Sequence, residues 1–109
     1  METARAGDPE LDELRRVVAA WLSSIGPDRP HSAGQMKEAA EKYEGLSRAH
    51  PDLNEALMSV AHGSGGIDAR KLGHWLGRKR GRIVSGHKLT SRDDNHSKQL
   101  LWYLTPVRQ

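Results

Sequence analysis

Eight lysines and arginines lie between Arg70 and Arg92 with no aspartate or glutamate among them: Arg70, Lys71, Arg78, Lys79, Arg80, Arg82, Lys88 and Arg92. Cationic groups at this density do one kind of chemistry well, the neutralisation of a polyanion. A run so one-sided carries a self-repulsion that an ordinary solvated face does not need. The whole chain shares the asymmetry. Residues 1–69 hold 7 Lys+Arg against 12 Asp+Glu, whereas residues 70–109 hold 10 against 2, Lys98 among the ten.

Other constellations are weaker. The six histidines (31, 50, 62, 74, 87 and 96) include no pair at i, i+4 spacing, and the chain has no cysteine, so neither a zinc site nor a disulfide framework is expected. His74 and His87 read instead as phosphate or base contacts, or as ordinary surface residues. Gly63-Ser64-Gly65-Gly66 lacks the Gly-Lys-Ser/Thr ending of a phosphate loop and reads as a flexible connector. Asp93 and Asp94 sit in a turn cluster, where they form a turn rather than a catalytic carboxylate pair. Trp75 and Trp102 could stack on bases, but their positions continue an apolar face and favour burial. No enzyme, metal or cofactor is expected.

The elements that must position these cations follow from periodicity and caps. Residues 1–7 read as a disordered lead-in and 8–109 as one domain. Asp8-Pro9-Glu10 starts a helix carrying Leu11, Leu14, Val18, Trp21, Leu22 and Ile25, which Gly26-Pro27 stops. Ser32 and Gln35 form a capping-box signal for a second helix over about 33–44, with Gly45 as its C′ stop. A third begins near Pro51 and turns Leu53, Leu57 and Val60 inward. Asp68 caps a fourth, over about 69–80, with Ala69, Leu72 and Leu76 on one side and Arg70, His74 and Gly77 on the other. The period then changes to two, giving strands over 87–91 and 98–104 about a polar turn at 92–97. The large core anchors are expected to be Trp21, Trp75, Trp102, Tyr43 and Tyr103, as phenylalanine is absent. The chain shows no internal repeat, and no apolar run is long enough to span a bilayer. A monomer in a reducing cytoplasm is expected.

Three helices, a basic amphipathic helix and a basic hairpin follow the order of an α+β, mostly α, winged helix-turn-helix. A major groove admits one helix and is read by side chains such as arginine, with a neighbouring hairpin reaching phosphates. Arg70, Lys71, His74 and Arg78 are placed in the groove, Lys79, Arg80 and Arg82 at phosphates, and Lys88, Arg92 and Lys98 on the wing. Ile67 is expected to pair with that wing. Duplex DNA is the expected ligand. The alternative is a winged helix that docks on a protein, without reading DNA.

The stretch Ile67-Asp68-Ala69-Arg70-Lys71-Leu72-Gly73-His74-Trp75-Leu76, followed by 81–89 and closing on Leu101-Trp102-Tyr103-Leu104, resembles the C-terminal segment of phage and mobile-element replication proteins of primase and helicase type. The likeness covers most of residues 9–105. It implies a winged-helix-like accessory domain for DNA replication, attached to an ATPase or primase. The sequence departs from that pattern in carrying no catalytic part, as expected of either an excised domain or a stand-alone relative.

Overall fold

The computed structural model describes residues 9–96 and 98–107. The lead-in at 1–7, the Asp8 cap and Ser97 lie outside the described residues. Among the described residues there are four helices: α1 (Pro9–Ser24), α2 (Ala33–Glu41), α3 (Pro51–Ala61) and α4 (Ala69–Lys79). Small antiparallel sheets accompany them, so the architecture is α+β, with more helix than strand. Among the described residues, no helix is long and apolar enough to cross a membrane.

The helix starts follow their capping residues. Ser32 Oγ accepts the Gln35 N–H at 3.1 Å, and the Gln35 side chain accepts the Ser32 N–H at 2.9 Å, so two otherwise unpaired donors are satisfied together. Asp68 Oδ1 accepts the N–H groups of Arg70 (2.9 Å) and Lys71 (3.2 Å) at the start of α4. Pro51 occupies the first turn of α3, where a missing N–H costs nothing.

Each of the last three helices leads into a tight hairpin. After α2 come β1 (Tyr43–Glu44) and β2 (Ser47–Arg48); after α3, β3 (His62–Gly63) and β4 (Gly66–Ile67); after α4, β5 (Ile83–Val84) and the start of β6 (His87–Asp94). Each turn holds two residues between its strands. In every case a hydrogen bond spanning seven residues closes the hairpin: Ala49 N–H to Lys42 O, Asp68 N–H to Ala61 O, and Leu89 N–H to Arg82 O. A geometry therefore recurs where the sequence does not.

These hairpins correct several expectations. The second helix stops at Glu41 rather than 44, because the chain turns extended at Lys42. Gly45 is not a helix stop; its φ of 67° serves the β1–β2 turn. The glycine-rich stretch 63–66 is a paired turn and not a loose connector. Ile67 pairs with His62, so it does not join the C-terminal hairpin. That hairpin consists of β6 and β7 (Gln99–Pro106), paired from His87↔Pro106 to Asp94↔Gln99. Arg92, Asp93 and Asp94 belong to the strand, and the turn is correspondingly shorter. The segment that does pair with β7 is His31, which exchanges both main-chain bonds with Trp102, at 3.0 and 2.7 Å.

One core joins these parts. Leu14, Val17, Val18 and Trp21 of α1 meet Met36, Leu53, Leu57, Leu72, Trp75 and Leu76, with Leu89, Trp102 and Leu104 closing it from the hairpin. Burial of each leucine or valine contributes about 1.5–3 kcal/mol. The three tryptophans anchor it as expected, but Tyr43 is 57% exposed and Tyr103 only half-buried. Tyr43 leaves the core because it sits on the β1–β2 hairpin, where the Arg48 guanidinium lies 4.7 Å from its ring centre.

Glu41 fixes the connection between α3 and α4. Its carboxylate accepts the Ile67 N–H at 3.0 Å and Lys37 Nζ at 2.6 Å, while its main-chain oxygen accepts Arg48 Nη1 at 3.0 Å. The Lys37 and Ile67 donors hold its carboxyl below the usual glutamate range. Gly66 makes this approach possible, since a Cβ there would fall 2.6 Å from Glu41 Oε2.

Candidate nucleic-acid interface

Helix α4 sorts its side chains by the 3.6-residue period. Leu72, Trp75 and Leu76 are buried, while Arg70, His74 and Arg78 are exposed along the opposite face, each four residues from the next. The expectation grouped ten residues as DNA contacts, and the structure divides them among several settings.

Arg70, His74 and Arg78 form one continuous face, and among the described residues none of them makes an ion pair. Lys71 is exposed at its flank, but its Nζ donates to the His62 carbonyl at 2.8 Å, which draws it toward the end of α3. Asp68, below this face, is held under its usual pKa by the N–H groups of Lys71 and Arg70, so its charge persists at the helix start.

Lys79 does not belong to the surface set. It is 6% exposed, with Nζ 3.1 Å from Glu10 Oε1 and 6.0 Å from the Trp75 ring centre. A lysine held there cannot reach a phosphate without breaking that pair. Its position was available from the spacing, as it lies seven residues after Leu72 and four after Trp75.

Arg80 and Arg82 follow the helix. Arg80 Nη1 donates to Ser91 Oγ at 2.8 Å and its guanidinium lies 5.9 Å from the Trp102 ring centre, so it clamps α4 to the hairpin while staying exposed. Arg82 is exposed at the entry to β5.

The hairpin cations take a different face. Leu89 is buried against the core, so alternation puts Lys88 and Arg92 on the other side of β6, opposite Thr105 and Leu101. Lys98 is exposed at the far turn, with φ 56° and its N–H donating to the Asp94 carbonyl at 2.8 Å. The expected set is thus a helix face, a clamp, a hairpin face and a turn, with Lys79 removed.

Sequence reading missed the residues between helix and hairpin. Leu100 shares a face of β7 with Trp102 and Leu104. It lies one step beyond the core, however, and stays 40% exposed beside Gly73 and His74. Among the described residues, no cluster of three or more His, Cys, Asp or Glu could hold a metal ion.

Comparison with protein-family models, with curated proteins and with solved structures finds no match for the chain.

Proposed function

We propose that the chain binds nucleic acid, with duplex DNA preferred, as a winged helix-turn-helix. In this reading α3 and α4 are the helix pair, α4 enters the major groove and the β6–β7 hairpin is the wing. The observation that carries it is the face of Arg70, His74 and Arg78, which is exposed, free of acids and held on a helix whose other side is anchored in the core. Phosphates would be met by Arg80, Arg82 and Lys98, and by Lys88 and Arg92 where the backbone wraps the hairpin. The resemblance to primase- and helicase-type replication proteins adds a setting, an accessory domain in mobile-element replication that works beside an ATPase.

A fluorescence-anisotropy titration on a labelled duplex at several salt concentrations tests this. Log K should fall linearly with log salt, by about 0.9 for each phosphate neutralised. Absence of binding to any nucleic acid at low salt would overturn it.

Protein docking is the second reading, favoured by the β1–β2 tip. There Leu46 is fully exposed beside the exposed Tyr43, an apolar pair that DNA binding does not use. A partner retained when Arg70, His74 and Arg78 are all alanine, with no DNA binding in either form, would select it.

A further inference from the structure

A groove of about 360 Å³ runs between α4, the start of α2 and the start of β7. Ala33, Gly73, Leu100 and Trp102 give it apolar walls, and His74 and Gln99 bring polar groups to it. Trp102 is buried and makes the floor, whereas Leu100 is 40% exposed and makes a free-standing wall. Gly73 deepens the space. Glycine is a costly choice inside a helix, and a Cβ at this position would meet the Ala33 Cβ at 3.9 Å, an ordinary contact. Packing therefore does not require the missing side chain.

The surroundings say what the groove would hold. Arg70 and Arg78 stand one turn to either side of His74 on α4, so cations flank the polar edge of an apolar slot. An apolar side chain of a protein partner would gain nothing from the flanking cations. A nucleobase matches all three features: two apolar faces, an edge that both donates and accepts, and a phosphate on each side. The His74 imidazole carries ring nitrogens that can donate and accept, as base-edge recognition requires.

We infer that this groove receives one unpaired nucleobase, so that the preferred ligand is a duplex interrupted by an extruded or unmatched residue. This rests on the nucleic-acid reading above and narrows its ligand class.

The test uses the full chain and two labelled duplexes, identical except that one carries a single unpaired fluorescent purine analogue. The interrupted duplex should bind on the order of tenfold tighter, equivalent to about 1.4 kcal/mol, with a change in the analogue's emission. Ala33→Leu fills the slot from α2, and Leu100→Ser removes the exposed wall without touching the core. Neither residue belongs to the cationic set. Each should bring the affinity ratio toward one and leave continuous-duplex binding as in the wild type. Equal binding of the two duplexes by the wild-type protein overturns the inference and leaves duplex binding standing. A preference that survives both substitutions overturns it as well. Failure to bind either duplex overturns the parent reading and the inference with it.

Discussion

Helices α1 and α4 both carry arginines on an outward face, yet the two faces are electrostatically different objects. On α1, Arg15 lies 3.8 Å from Asp12, both half exposed or more, and Glu10 and Glu13 share the helix with Arg16. On α4 no acid occurs between Ala69 and Lys79. Among the described residues, the one α4 cation with a carboxylate partner, Lys79, is also the one withdrawn from solvent. Absence of compensation, rather than the number of cations, distinguishes the α4 face. Compensated charges present little net field to an approaching polyanion, whereas uncompensated ones in a row add.

The comparison can be broken most severely through the scaffold. Trp102→Ala removes the surface beneath Arg80 and the His31 partner's side chain at once, and should cost about 3–5 kcal/mol. Urea unfolding measures this, and loss of DNA binding in that variant would follow from loss of fold.

Charge reversal sharpens the comparison directly. Arg70→Glu with Arg78→Glu should abolish measurable preference for any duplex, since each groove-facing contact is worth ~1–3 kcal/mol. Arg15→Glu with Arg16→Glu, the same formal change on α1, should alter affinity far less. Equal losses from the two pairs in anisotropy titrations would show that only net charge matters.

Smaller effects separate phosphate contacts from buried charge. Replacing Arg82, Lys88 or Arg92 by alanine should each lower the salt slope by about one. Lys79→Met should leave that slope unchanged. Its stability should move little, because Met fills the lysine's buried place and the exposed Glu10 is not left as an uncompensated buried charge.

The smallest expected effect is on pH dependence. Glu41 and Asp68 both have folded-state pKa values below the usual carboxylate range. Their contribution is therefore complete at neutral pH and is lost as pH falls through the carboxylate range toward the folded values. Glu41→Gln should flatten the acid limb of a stability-against-pH curve measured by urea unfolding.

The helices were legible because their signals are local. Ser32 and Gln35 announce α2, Asp68 announces α4, and the apolar spacing of α1 follows one stripe. The small hairpins were not legible, as two residues per strand are too few to show a period of two. Ser85-Gly86 was the exception in principle: both residues take positive φ, 54° and 75°, and such a pair is a known hairpin signal. His31 could not be matched to Trp102 from sequence, since a main-chain exchange between residues so distant leaves no mark on side-chain type. In the candidate site, the α4 face was readable from helix angles. Lys79 was misassigned because its charge was given more weight than its place beside Leu72 and Trp75. The slot at Gly73 and Leu100 exists only through tertiary packing of three elements.

The segment joining α1 to α2 has an effect on solution behaviour. Asp28 donates its N–H to the Leu104 carbonyl at 2.7 Å, and His31 exchanges two bonds with Trp102. Main-chain groups along the outer margin of β7 are thereby occupied. Such a margin left open is a template for strand addition by another molecule. The covering segment cannot serve as a new template itself, because Pro27 and Pro30 lack the N–H that a ladder needs. At the other margin β5 is only two residues long. The β7 flank is blunt, and the domain should resist strand addition there even when many copies crowd onto one polyanion.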